Sequence, residues 1–282
     1  MKKLLSILCL SALLFGGCQQ AAPTPAVDSD NDAAEGAAKT SGWEYIEENG
    51  VLIVGLDATF APMGFTDEKG EIIGFDIDLA KEVGKILDME IKFQPISWDA
   101  KEMELSSKRI DCIWNGMSVT PERMEAMELT QPYLNNKIII MGKNVEDIRS
   151  LDEIKTMKIG TQQGSSALDA LKELEFYNEI KENITEMPTY DEVLMDMSAG
   201  RIEIMVVDEV LGNYKNSLMA EDEKLSTAKV NFGDDLYAIA CRKGEKDLVE
   251  KIEGAISEAI ASGKATEISQ KWFGTDLVLP IK

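Results

Sequence analysis

The sequence predicts an α/β chain built as two similar lobes, and two observations carry that prediction. Strand-like and helix-like patterns alternate along the body, and part of the pattern recurs 92 residues further on. Val51–Leu56 is a short apolar run, the composition of a buried strand. Residues 65–75 read as a hairpin turning at Asp67-Glu68-Lys69-Gly70. Over 76–87, Leu79, Val83, Ile86 and Leu87 share one helical face, and Asp76 and Asp78 suit that helix's N-terminus. A strand over 91–96, a helix over 99–107 and a strand over 110–114 come next. Such alternation predicts a mainly parallel sheet covered by helices.

The repeat sets Trp98-Asp99 on Tyr190-Asp191, Met103 on Met195 and Ser106 on Ser198. Arg109-Ile110-Asp111 falls on Arg201-Ile202-Glu203. In each copy an aromatic residue and an Asp N-cap are expected to start a helix, which leads into an apolar strand. A weaker echo at a shift of 105 sets Val54-Gly55 over Ile159-Gly160. Two copies of one βαβ plan imply two lobes; the period is too long for a solenoid.

The N-terminus sets the compartment. Lys2 and Lys3 precede an apolar run over 4–15, too short to span a bilayer stably, which reads as the core of a signal peptide. Leu14-Phe15-Gly16-Gly17-Cys18 resembles the lipobox of bacterial lipoproteins, with Phe15 where Leu is usual; lipidation of Cys18 is the expectation, and ordinary cleavage near Ala21-Ala22 the alternative. Residues 19–42 hold no aromatic residue and read as a flexible tether. The folded body should begin near Trp43.

The net charge of -22 becomes -24 once Lys2 and Lys3 leave with the leader, which argues against a nucleic-acid partner. The chain has no histidine, hence no Ser-His or Cys-His nucleophile and no histidine metal site. Cys112 and Cys241 remain in the body, outside any C-x-x-C pair; buried thiols and a disulfide are both open.

In open α/β sheets, ligands bind beyond the carboxyl ends of strands. The residues placed there are 57–60, 115–120, 162–166 and Asp208. Thr120-Pro121-Glu122-Arg123 reads as a helix start, with Thr as N-cap and Pro in the first turn. A cation in that turn suits a bound anion, or else a surface pair with Glu122 or Glu125. Gly164-Ser165-Ser166 lies between a strand over 157–161 and a helix expected from Ala167, with Ser166 and Asp169 at capping-box spacing. Asp208 ends an apolar run over 202–207; capping the next helix would explain it, and so would accepting an ammonium. Together Arg123 and Asp208 suit a zwitterion held between the lobes.

Gly74-Phe75-Asp76-Ile77-Asp78-Leu79-Ala80 resembles the signature of the family 3 extracellular solute-binding proteins, which serve polar amino-acid ABC importers. Asp57-Ala58-Thr59-Phe60-Ala61-Pro62, the run from Gly116 to Arg123, and Gln163-Gly164-Ser165-Ser166 match that family in order. The resemblance implies two Rossmann-like lobes joined by two crossover strands, the type II periplasmic-binding-protein arrangement. With the leader at 1–17 and the tether at 18–42, lobe 1 would take 43–140 and 232–282, and lobe 2 would take 141–231. It also implies an extracytoplasmic, lipid-anchored binding subunit that passes a free amino acid to a permease and its ATPase, without cofactor or catalysis. Arg123 would clamp the ligand carboxylate with N–H groups at Ser118 and Ser166, beside Ser165. Asp208 would take the ammonium with the Gly116 carbonyl. Phe60 and Trp98 would sandwich the side chain, with Asp57 at its far end; Asn115 and Gln162 fill variable positions.

Once Arg123 and Asp208 are matched to the ligand's own carboxylate and ammonium, Asp57 is left as a negative charge near the side chain, with no further basic residue among the cleft positions to pair with it. That count favours a cationic ligand, then a neutral polar one. Alternatively, Asp57 only pins its own loop and is silent about specificity. Two rival classes remain: a ligand-sensing receptor domain, and a dehydratase on the same fold.

Overall fold

The computed structural model describes residues 42–281. The expected leader, Cys18 and the tether up to residue 41 lie outside the described residues. Gly42, expected as the last residue of the tether, is buried and opens the helix Gly42–Asn49. Trp43 N donates to Asp247 Oδ2 at 2.7 Å, tying that helix to the helix Lys246–Ala261.

The first strands are β1 (Val51–Leu56), β2 (Thr59–Phe60), β3 (Gly64–Thr66), β4 (Ile72–Ile73), β5 (Glu90–Pro95) and β6 (Cys112–Ser118). Next come β7 (Met127–Leu129), β8 (Leu134–Gly142), β9 (Ile159–Gln162), β10 (Ile184–Met187), β11 (Ile204–Asp208) and β12 (Ser226–Arg242). The large sheet runs β10-β9-β11-β8-β12-β6-β1-β5, with β7 also on β12. Its ends are two parallel wings, β5-β1-β6 and β10-β9-β11. In both wings the first strand in sequence lies in the middle and the third lies innermost. The two shifts seen in the sequence are this plan: 105 carries β1 onto β9, and 92 carries β6 onto β11.

The expectation of a mainly parallel sheet holds only for the wings. Between them, β8 and β12 pair antiparallel with each other and with their neighbours. The chain passes from the first wing to the second along β8 and returns along the 17-residue β12. The β8–β12 register shifts twice, between Thr227 and Asn231 and between Asn231 and Asp234. Bulges of this kind bend the strands that join the two lobes.

The predicted hairpin is β3–β4, and its turn is held by Asp67 Oδ1, which accepts from Lys69 N and Glu71 N at 2.9 Å each. The predicted helix is Phe75–Ile86, with Leu79 and Val83 fully buried. Asp76 does more than favour that N-terminus. It is fully buried, and it accepts from Tyr133 Oη at 2.7 Å and from Gly116 N at 2.9 Å. Burial pushes its carboxyl up to about 7 against those bonds. The helix start is thereby fixed to the carboxyl end of β6.

The repeat-related helices begin on the aromatic residue, so the expected Asp caps are corrected. Thr189 caps the helix Tyr190–Ser198 in a capping box with Glu192, and the turn at Trp98–Ala100 comes directly after Ser97. Cys112 and Cys241 face each other in the β6–β12 register as free, fully buried thiols, which burial pushes to higher pKa. No described helix is long and apolar enough to cross a membrane.

Candidate ligand-binding cleft

The carboxyl ends of β1, β6, β9 and β11 converge on one cavity of ≈ 190 Å³. Phe60, Trp98, Gly116, Ser118 and Arg123 line it from the first lobe. Gln162, Ser165, Ser166 and Asp208 line it from the second. Nine of the eleven expected residues therefore meet; Asp57 and Asn115 stand behind the wall.

Arg123 lies where the sequence placed it. Thr120 is the N-cap, its hydroxyl accepting from Arg123 N at 3.2 Å, and Pro121 opens the helix Pro121–Ala126. The guanidinium, in a residue only 4% exposed, donates to Ser118 O at 2.9 Å and across the cleft to Gly164 O at 3.3 Å. It therefore turns to carbonyls of the cleft and not to Glu122 or Glu125. Burial lowers its pKa, opposed by the charges of Asp169, Asp235 and Asp208.

Across from it, Ser165 is the N-cap of the helix Ser166–Lys172, accepting from Leu168 N at 3.1 Å. This corrects the expected Ser166–Asp169 capping box by one place. Ser166 is left free to meet Ser118, Oγ to Oγ at 2.9 Å.

Asp208 precedes the helix Glu209–Ser217 without capping it through its side chain. Its Oδ1 instead accepts from Asn136 Nδ2 and Tyr237 Oη, both at 2.8 Å. The same Asn136 nitrogen reaches Asp235 Oδ2 at 2.8 Å, which also accepts from Ser118 Oγ at 2.7 Å. Burial, and then the neighbouring Asp235 charge, push Asp208 up to about 7. Gly116 has φ 56°, and a Cβ there would stand 2.8 Å from the Phe60 ring, so a side chain would displace the aromatic wall.

Residues 52–275 match the model of the bacterial extracellular solute-binding proteins, family 3. The chain belongs to that family. It is 29% identical over 240 residues to the L-cystine-binding protein TcyJ of Escherichia coli K12, covering 82% of this chain and 86% of that one. It is 30% identical over 231 residues to the probable ABC transporter arginine-binding protein ArtJ of Chlamydia trachomatis, covering 78% and 85%. A solved ABC uptake transporter substrate-binding protein from Streptococcus pneumoniae, with bound histidine, superposes with TM-score 0.78 at 33% identity, covering 84% of this chain and 98% of that one.

In this family 3 protein the charge count made from sequence needs correction. Asp57 Oδ1 accepts from Thr59 N at 2.9 Å and Thr59 Oγ1 at 2.7 Å, and its Oδ2 accepts from Gln162 Nε2 at 2.6 Å. Asn115 supports the same loop, its Oδ1 accepting from Asp57 N at 3.1 Å. Asp57 thus pins its own loop and holds Gln162, one step back from the cavity.

A second basic residue stands at the cleft, where only Arg123 was expected. Lys101, 5% exposed, donates to Trp98 O at 3.2 Å and across the cleft to Gly164 O at 2.9 Å. Its ammonium lies 5.1 Å from the centre of the Trp98 ring, and burial pushes it down to about 8. Sequence reasoning missed Lys101, Asn136, Asp235 and Tyr237. The one available signal was that Asn136 and Asp235 are polar positions on the two joining strands, where they are register partners.

Proposed function

We propose that this chain is the extracytoplasmic amino-acid-binding subunit of an ABC importer, closing its two lobes on one amino acid and presenting it to the permease. The observation that carries the reading is the pairing of Arg123 and Asp208 on opposite lobes around one cavity. A ligand carboxylate at Arg123, helped by Ser118 and Ser166, gains charge-assisted hydrogen bonds. Its ammonium at Asp208, beside the Gly116 carbonyl, gains an ion pair. A ligand touching both lobes binds the closed form better than the open one, and that difference drives closure. Hydrogen bonds such as Gln162 to Asp57 and Lys101 to Gly164 join the walls in the closed form.

The relatives named for cystine, arginine and histidine binding support an amino-acid ligand with a cationic or neutral polar side chain, a preference that now rests on those relatives and not on the Asp57 charge. They are binding proteins, which agrees with a role outside catalysis; with no histidine in the chain, a dehydratase would need other acid–base groups. Titration calorimetry with the common amino acids and cystine tests the reading. Saturable binding of at least one is expected, and binding of none would overturn it.

The boundaries proposed for the lobes are 43–140 with 232–282, and 141–231. Export by the leader and anchoring through Cys18 complete the proposal. Cys18→Ser should release the protein from the membrane fraction, and fatty-acid labelling of that variant would refute the anchor.

A further inference from the structure

One residue of the cavity wall carries an acceptor that the protein itself does not use. Gln162 is 1% exposed and lines the cavity. Its side-chain nitrogen donates to Asp57 Oδ2 at 2.6 Å and to Pro188 O at 2.9 Å. A backbone carbonyl only accepts, and so does an ionised carboxylate. Turning the amide over would set its oxygen against both. Asp57 cannot swing aside without releasing Thr59, to which its other oxygen is bound twice. The orientation of the amide is therefore fixed, and Gln162 Oε1 is left buried without a hydrogen-bond partner among the described residues.

A buried carbonyl in that state is destabilising, and a donor brought by a ligand removes the cost. The Asp57 carboxylate also pulls on the amide N–H, which polarises the carbonyl and strengthens it as an acceptor. Under the proposed function, Arg123, Ser118 and Ser166 serve the ligand carboxylate, and Asp208 serves its ammonium. Gln162 is then left, with the aromatic faces of Phe60 and Trp98, to meet the side chain.

We propose that Gln162 Oε1 is a specificity-determining acceptor, and that the cleft takes amino acids whose side chain carries an N–H or O–H donor. The inference rests on the amino-acid reading of the cleft. It differs from a charge argument built on Asp57, because a neutral acceptor needs a donor and not a full positive charge. Amide, hydroxyl, imidazole and guanidinium groups satisfy it. Carboxylates and hydrocarbons do not, and they leave the carbonyl stranded.

The test is titration of the wild-type protein and Gln162→Met with the twenty common L-amino acids and L-cystine. Circular dichroism confirms that the variant is folded. The tightest wild-type ligand should carry a side-chain donor, and Gln162→Met should weaken it at least tenfold, about 1.4 kcal/mol. Any donor-free ligand, such as methionine or leucine, should change less than threefold. A donor-free amino acid as the tightest wild-type ligand overturns the inference whether or not the variant folds. Equal losses for both classes in a folded variant overturn it too. Binding of no amino acid would instead overturn the proposed function itself.

Discussion

The two lobes repeat one backbone plan yet face each other with different chemistry. The 92-residue shift that carries β6 onto β11 sets Gly116 on Asp208. One lobe offers a backbone at that position and the other a carboxylate, and both line the cavity. Past that point the copies diverge. The first lobe runs on through Ser118 to a separate six-residue helix carrying Arg123, whereas the second enters the helix Glu209–Ser217 directly after Asp208. The first wall thereby gains Arg123, and Lys101, which the same shift sets on Val193, adds a second cation from the helix ahead of β6, whereas the second wall carries Asp208. A symmetric scaffold thus holds an asymmetric, zwitterionic site, and the asymmetry arises in the segment that leaves each innermost strand and, for Lys101, in the helix that leads into β6.

The largest expected break in that comparison is Arg123→Ala. It removes the guanidinium that spans from Ser118 O to Gly164 O and leaves a ligand carboxylate without its partner. The expected loss of binding is roughly 2–5 kcal/mol. Calorimetry with the tightest amino acid reads it, and wild-type affinity in a folded variant would remove Arg123 from the site.

A smaller effect comes from the opposite wall and is a pH dependence. Asp208 is pushed up to about 7, with Asp235, Arg123 and Tyr237 around it. A bound ammonium favours the ionised carboxylate, so affinity should be full above about pH 7 and fall up to tenfold per unit below it. Stability without ligand moves the other way. Asp76 and Asp208 have folded pKa values of about 7 against 3.8, so both take up protons on folding and their contribution grows as pH falls from 8 to 5. Melting curves over that range should show the ligand-induced rise in Tm shrinking while the ligand-free Tm climbs. A ligand-induced rise that is constant with pH would place the ammonium elsewhere.

What the sequence revealed, and what it hid, divides by the distance over which each feature acts. Thr120 and Pro121 could be read because a cap and its helix are adjacent, and the repeat could be read because strand order copies itself. The Asp99 and Asp191 caps were misplaced by local reading; for the second, a hydroxyl two residues earlier, at Thr189, was the better acceptor. Asp57 was over-read, because the hydroxyl that satisfies it lies two residues on and the amide it holds lies 105 residues away. Lys101 could not be found at all. In sequence it is one more charge on an amphipathic helix, and only closure brings it to Gly164, 63 residues distant. Asn136 and Asp235 were hidden in the same way, meeting across 99 residues through the pairing of β8 with β12.

Lys101 supplies the smallest effect and the sharpest view of the two walls. Its ammonium and the Arg123 guanidinium both donate to Gly164 O, so the first wall carries two positive charges close together. One ligand carboxylate balances one of them. The other, partly offset by Glu102, Asp169 and Asp99, still repels cationic side chains and leaves neutral ones unaffected. Because Lys101 gains only two carbonyl acceptors and the Trp98 face for its lost water, its removal should cost little overall affinity. Lys101→Met should instead change selectivity. Binding of arginine and lysine should improve against glutamine by about 0.5–1 kcal/mol, roughly two- to fivefold, the size of one partly screened charge. Paired titrations of the variant and wild type with lysine and glutamine read that ratio. An unchanged ratio would show that the ligand side chain lies beyond the reach of the Lys101 charge, leaving its choice to Gln162 and the aromatic walls.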